Sequence, residues 1–385
     1  MRIGIFSNCY HPLVNGVVGV VSLLRKGFLE KGHQVYIFAP AVDDYIDKEA
    51  GIYRYRSVDL TREVKYPVAI PFSPRINKIL SNLDLDVIHS HHPFVLGQVA
   101  LKTARHQKIP IIYTFHTQYE QYNHYFPLPG KLVNLITRAK VKAFCQSVNG
   151  LTTPAESARQ LLINYGITNP VAVIPNPTVI TRETETGEQI KKRYGLKDDK
   201  ILVTVGRIAP EKNLGLLLQS FQYMLSQSLP HPLRLMIVGD GPELENLKKQ
   251  ARILNIADRV IFTGLVIPEQ VPQYLAAADL FVMTSTSEVK PLAQLESLAA
   301  GLPIVAVAAA GANDTIIHGE NGLLVTENYQ AIADSVIDLV YNNDKLSNFR
   351  LNALNTAKLY SYPRIAEKYL ELYREKISES ASNKS

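Results

Sequence analysis

Short runs rich in Val and Ile punctuate the chain and predict strands at Ile3–Phe6, Val35–Phe38, Val87–His89, Ile111–Phe115 and Val171–Ile174. The same style returns at Ile201–Val205, Leu233–Val238, Val260–Thr263, Leu280–Met283, Ile304–Val307 and Leu323–Val325. Between these runs, apolar residues recur at three- and four-residue spacing and predict helices. They cover Val18–Glu30, Leu96–His106, Lys131–Ser147, Ser157–Tyr165, Leu214–Ser226, Pro242–Leu254, Pro268–Ala277, Ala293–Ala300 and Ala331–Val340. Strands alternating with helices imply βαβ units and mostly parallel sheets, and continuous apolar strands fit sheets covered on both faces. The alternation lapses at 176–200, where Ile174-Pro175-Asn176-Pro177 leads into the charged stretch Thr181–Asp199, which reads as an interdomain connection. The expected architecture is α/β, with two Rossmann-like domains whose parallel sheets face each other across a cleft. Ligands are expected at the carboxyl ends of the strands. The expected bounds are 1–178, 179–358, and a C-terminal helix within 359–385 that packs back on the first domain. The tail Ser378–Ser385 should fray.

Composition narrows the class. With 385 residues, 46% hydrophobic and 20% charged, the chain can build two ordinary cores. Its two cysteines, Cys9 and Cys145, give neither a disulfide framework nor a metal cluster and point to a reducing compartment. The apolar run after Met1 is too short for a signal sequence, and no stretch approaches the ~20 apolar residues of a membrane span. A cytoplasmic protein is therefore expected. Residues 1–180 carry 19 Lys and Arg against 11 Asp and Glu, a surplus of +8, while the rest carries 22 against 24. A basic half beside a near-neutral one suits an anionic partner on the first domain, or simply a solvated basic surface.

Three segments follow strands and carry candidate chemistry. In Glu288-Val289-Lys290-Pro291-Leu292-Ala293-Gln294-Leu295-Glu296, two acids lie eight residues apart at the start of a helix that opens near Pro291. Backbone N–H groups at such a helix tip hold phosphate. Glu288 then sits beside a sugar, and Glu296, deeper in the helix, accepts from ribose hydroxyls. In Val205-Gly206-Arg207-Ile208-Ala209-Pro210-Glu211-Lys212-Asn213, Gly206 allows close backbone approach, while Arg207 and Lys212 suit a diphosphate. A departing diphosphate gains charge, so fixed cations there lower the barrier. In His11-Pro12-Leu13-Val14-Asn15-Gly16, Gly16 opens a helix and leaves room for a phosphate or sugar. The spacing is not GxGxxG, which argues against a dinucleotide cofactor. Each segment taken alone also reads as an ordinary turn or solvated surface.

In this order, the three segments resemble the GT-B glycosyltransferases, specifically the retaining family 4. Matching stretches run from Ile3 to about Tyr373, including Gly301-Leu302-Pro303-Ile304-Val305-Ala306. The resemblance implies donor binding by the C-terminal domain and acceptor binding by the N-terminal one. It implies Glu288 near the transferred sugar, Glu296 on the ribose, and Arg207 and Lys212 on the diphosphate. Backbone around Lys290, Pro291 and Leu292 would meet phosphate and sugar. His116 matches a histidine that contacts the donor sugar. The sequence departs from the family pattern at Val289-Lys290, where Gly and Phe are common, and at Pro177, where Gly is usual.

The segments Ile88–Gly97 and His116–Tyr125 resemble those of bacterial diacylglycerol glucosyltransferases within that family. The resemblance implies a membrane lipid acceptor, such as diacylglycerol or its monoglycosyl derivative, and a donor such as UDP-glucose or UDP-galactose. His91, His92 and Tyr119 are acceptor candidates. On the predicted helix Lys131–Ser147, a stripe of Leu132, Leu135, Ile136, Ala139 and Ala143 lies beside Lys131, Arg138 and Lys142. Such a helix suits an anionic membrane face or packs on its own domain. Peripheral attachment to the cytoplasmic membrane face follows from the first option. Neighbouring histidines diverge, and Asp84-Leu85-Asp86 reads as a strand-entry turn. No metal and no cofactor beyond the nucleotide-sugar substrate are therefore expected. Nucleic acid is not an expected partner, because no such motif accompanies the pI near 9.0. A soluble sugar or polysaccharide acceptor, or a sugar-nucleotide-binding protein without turnover, are the open alternatives.

Overall fold

The computed structural model describes residues 1–59, 67–116, 130–180, 184–196 and 198–382, without the side chains of 130–132, 184 and 185. The chain divides into two compact units, Met1–Pro177 with Tyr362–Ser385, and Thr178–Ser361.

The first unit is built on a parallel sheet of seven strands in the order β3-β2-β1-β6-β7-β8-β9. These are β1 (Arg2–Phe6), β2 (Gln34–Pro40), β3 (Ile52–Tyr55), β6 (Val87–Ser90), β7 (Ile111–Thr114), β8 (Gly150–Thr153) and β9 (Val171–Val173). A separate antiparallel pair, β4 (Ser57–Asp59) and β5 (Pro67–Ala69), lies between β3 and β6 in sequence. Central β1 pairs Ile3 with both Val35 and Val87, and Ile3, Ile5 and Phe6 are fully buried. Helices α1 (Gly16–Glu30), α2 (Pro74–Asn82), α3 (Leu96–Gln107), α4 (Gly130–Cys145) and α5 (Glu156–Asn164) connect the strands. Asn15 starts α1 by accepting the Val18 N–H at 3.0 Å. Asp86 and Asp84 tie down Arg2 at the entry to the sheet, the first through its backbone N–H and the second through its guanidinium.

The second unit carries a six-stranded parallel sheet in the order β12-β11-β10-β13-β14-β15. The strands are β10 (Lys200–Val205), β11 (Leu233–Val238), β12 (Val260–Phe262), β13 (Leu280–Met283), β14 (Ile304–Val307) and β15 (Gly322–Val325). Its helices are α6 (Thr184–Tyr194), α7 (Leu214–Leu225), α8 (Leu244–Ile253), α9 (Val271–Ala276), α10 (Leu292–Ala299), α11 (Ala310–Asn313), α12 (Tyr329–Val340) and α13 (Asn343–Lys358). Alternate strand residues feed opposite faces. Leu202, Leu235 and Leu280 join one core, and Ile201, Val203, Met236 and Phe281 join the other. The strand order reverses between β10 and β13, the place where open parallel sheets collect ligands. Finally, α14 (Tyr362–Ser382) returns to the first unit and buries Ile365, Ala366, Tyr369, Leu370 and Tyr373 along one face.

Several expectations need correction. The charged stretch after Pro177 is not simply a connection: it contains α6, which buries Ile190 and packs on α9. The helix expected over 268–277 is a 3-10 turn, Pro268–Gln270, followed by short α9. The tail expected to fray from Ser378 remains helical through Ser382. Strand β8 was hidden by its threonines. They are nonetheless fully buried, and Thr152 Oγ1 meets Thr114 Oγ1 at 2.6 Å.

Candidate active site

A solvent-open pocket lies in the second unit at the β10/β13 reversal. Gly206, Arg207, Lys212, Glu288 and Pro291 line it. The loop after β10 supplies the first three, and the loop from β13 to α10 supplies the other two. Two hydroxyls lock these loops together: Thr284 Oγ1 donates to the Lys212 carbonyl and Ser285 Oγ to the Glu211 carbonyl, each at 2.9 Å. Both side chains are buried, and sequence reasoning missed them. Their signal was the run Thr284-Ser285-Thr286-Ser287 directly after an all-apolar strand. The loop contacts bring Lys212 and Glu288, 76 residues apart, into a direct ammonium–carboxylate hydrogen bond. Each side chain is about a quarter exposed, so the pair faces the pocket without being sealed off.

Backbone shape explains the glycine after β10. Gly206 has φ +148, and a Cβ there would stand 3.7 Å from the Lys212 side chain. A second glycine, absent from the sequence-based reading, backs the acid: a Cβ on Gly311 would fall 2.4 Å from the Glu288 carbonyl oxygen. Gly16, in the first unit, is the first residue of α1, and a side chain there would meet nothing within 4 Å.

Three second-unit residues expected around the donor do not line this pocket. Leu292 begins α10 just beyond Pro291. The Lys290 side chain is buried; its ammonium donates to the Asp314 carbonyl at 3.1 Å and lies over the Tyr360 ring. Burial lowers its pKa to about 8. Its side chain is therefore a packing element, and its expected part in donor binding is the backbone one. Glu296 keeps some exposed surface, yet its carboxyl lies deep enough that desolvation raises its pKa to about 7.

In the first unit, the acceptor candidates His91 and His92 are buried. Both follow the fully buried strand β6, and burial brings His92 down to about 4 and His91 well below its usual range. His92 Nδ1 accepts the Asn8 N–H at 3.1 Å. His116, at the end of β7, keeps partial exposure, and its Nε2 lies 2.8 Å from His91 Nδ1. Tyr119 lies outside the described residues. Among the described residues, no three His, Cys, Asp or Glu side chains form a potential metal site.

Helix α4 separates the two options that its apolar stripe left open. Its core face is Val133, Val141, Phe144 and Cys145. The expected core-facing or lipid-facing stripe lies outside: Leu135 is 66% and Ile136 44% exposed, with Ala139 and Ala143 also exposed. Arg138, on the same surface, rests over the Tyr165 ring and donates to the Asn164 carbonyl. Lys142 is half-buried near Gly166, and the Lys131 side chain lies outside the described set. No described helix is long and apolar enough to cross a membrane.

Comparison with known proteins gives these features a lineage. Residues 14–182 match the model of Glycosyltransferase Family 4, and residues 187–356 match that of Glycosyl transferases group 1. The chain is 35% identical to the alpha-monoglucosyldiacylglycerol synthase of Streptococcus pneumoniae, over 80% of this chain and 71% of that one. It is 29% identical to the protein of the same name from Acholeplasma laidlawii, over 99% and 98% of the two chains. The fold matches Anabaena HepE, crystallised with UDP and glucose, with a TM-score of 0.74 at 19% identity over 97% and 99% of the chains. Two parallel Rossmann-like sheets, a charged pocket at a strand reversal and these relatives together establish that the chain is a glycosyltransferase of family 4 with the GT-B fold.

Proposed function

We propose that this glycosyltransferase moves a hexose from a UDP-sugar to a membrane lipid, with the anomeric configuration retained. The Lys212–Glu288 pair in a pocket shared with Arg207 carries the donor half of this reading. Arg207 and Lys212 supply the two cations that a departing diphosphate requires, and the start of α10, just after Pro291, adds backbone N–H donors around Ala293. Glu288 stands beside the anomeric centre and partners Lys212 when the donor is absent. The departing phosphate accepts the acceptor proton on the face it leaves, so the new bond forms where the old one breaks.

The lipid half rests on the two synthases named above and on the outward face of α4. Leu135 and Ile136 present apolar surface that the unit's own core does not claim, beside Arg138 and Lys140. A basic rim around exposed aliphatic side chains suits an anionic bilayer surface. The relatives' names specify an alpha product, and UDP-hexoses of the common type are alpha-linked, which supports retention. A grid of nucleotide-sugars against diacylglycerol, monoglycosyldiacylglycerol and soluble sugars, with product linkage determined, tests both halves. Transfer only to soluble sugars would replace the lipid acceptor, and a beta-linked product would replace retention.

A further inference from the structure

Beneath His116, the first unit holds a continuous polar chain inside an otherwise apolar core. Tyr373 Oη meets His89 Nδ1 at 2.6 Å, and His89 Nε2 meets Thr114 Oγ1 at 2.7 Å. The His89 ring packs on the His91 ring at 4.1 Å between centroids. His91 in turn stacks nearly parallel on His116, and its Nδ1 lies 2.8 Å from His116 Nε2. The backbone fixes both ends of that contact. The His91 N–H donates to the Phe6 carbonyl at 2.9 Å, and Phe115, next to His116, donates to the Thr152 carbonyl at 2.8 Å.

One proton must lie between His91 Nδ1 and His116 Nε2, and the other nitrogen of His91 decides whose it is. His91 Nε2 is buried and has no hydrogen-bond partner among the described residues. If His116 donated, His91 would carry its own proton on Nε2, leaving a buried N–H with nothing to receive it. If His91 donates, Nε2 is a bare lone pair. Buried orphan N–H groups are the rarer defect in native proteins. Burial also keeps both rings neutral, so neither nitrogen pair can be doubly protonated.

We infer that His91 is a positioning residue: its Nδ1–H donates to His116 Nε2 and thereby fixes the proton of His116 on Nδ1. His116 then offers a hydrogen-bond donor, not an acceptor, from its partly exposed ring. A sugar hydroxyl oxygen accepts such a donor, and a water-exposed histidine with two interchanging tautomers would offer it only part of the time. The inference deepens the proposed function, because it gives His116 a fixed polarity toward the sugar.

Two measurements test it. Isotope-labelled histidine, read by long-range nitrogen–proton correlation with His116→Gln to identify the signals, reports the tautomer without any turnover. The expected result is His116 protonated on Nδ1; protonation on Nε2 overturns the inference. The second is a pair of variants. His91→Asn places an amide N–H near the position of Nδ1, and His91→Leu places none. His91→Leu should lower kcat/KM roughly tenfold, the worth of one hydrogen bond, with His116 drifting toward a mixture of tautomers. His91→Asn should restore most of that loss and the Nδ1 tautomer. Equal losses in two folded variants, or no loss in either, would also overturn it. If the wild-type protein transfers no hexose at all, the proposed function fails, while the tautomer measurement still decides this point.

Discussion

The charged pocket of the second unit and the histidine core of the first solve opposite problems with ionisable side chains. Around β10 and β13, Lys212 and Glu288 face each other directly, and each keeps about a quarter of its side chain exposed. Around β6 and β7, burial strips four histidines of charge, and His89 falls to about 3. One region stores charge for a charged ligand; the other stores hydrogen-bond direction. The difference lies in position along the strand. Lys212 and Glu288 sit on loops beyond the strand ends, whereas His89 lies inside β6 and His91 is still tied to β1 through Phe6.

The largest effect should come from breaking the ionic side. Lys212→Met or Arg207→Met should cost on the order of 10²–10³ in kcat with the thermal transition nearly unchanged, by removing a cation poised for the leaving group. Turnover within tenfold of the parent in both variants would remove the diphosphate assignment. Next is the outward face of α4. Replacing Leu135 and Ile136 together by Glu should weaken sedimentation with anionic vesicles by roughly tenfold or more, given the apolar surface they expose. Transfer to a short-chain, water-soluble acceptor should persist. Vesicle binding equal to the parent's would place the lipid contact elsewhere.

Two smaller changes sharpen the contrast through pH. Glu296 has its pKa raised to about 7 from the ordinary 4.5. The folded protein therefore holds a proton that the unfolded chain releases, and stability falls as pH rises between those values. Glu296→Gln should remove that fall and raise stability at pH 8 by on the order of 1–3 kcal/mol, read by denaturant unfolding at pH 5 and 8. A pH-independent difference from the parent would show that the carboxyl is not desolvated. Lys290 is the mirror case: its pKa drops to about 8, so its burden is greatest below pH 8 and fades as pH rises toward 10.5. Lys290→Met should be neutral or slightly stabilising at pH 7, and turnover should change by no more than about threefold. A collapse of donor affinity would return the ammonium to the donor site.

The sequence made the second unit more legible than the first for a physical reason. Its strands are dominated by apolar residues, so Leu233–Val238, Leu280–Met283 and Ile304–Val307 were located to the residue. The loops behind them carry charges that the core cannot hold, so Arg207, Lys212 and Glu288 stood out. What stayed hidden were the parts whose purpose is visible only across space. Thr284 and Ser285 look like ordinary loop hydroxyls until their acceptors 72 and 74 residues away are known. His91 and His92 look polar and therefore external. Helix α4 carries two apolar stripes at helical spacing, one through Val133, Val141 and Phe144 and one through Leu135, Ile136 and Ala139. Periodicity detects both and ranks neither. The charged face of α6 masked the single Ile190 that anchors it.

The return of α14 has a consequence for biosynthesis. Tyr369 and Tyr373 close the interior around His89 and Thr114, yet they follow the whole second unit along the chain. The first unit is thus begun before the second and completed after it. The inserted second unit has its whole sequence, Thr178–Ser361, available earlier and can mature while its host still waits for its keystone. The usual order, with amino-terminal domains folding ahead of those that follow, is inverted here by twenty-one residues of helix.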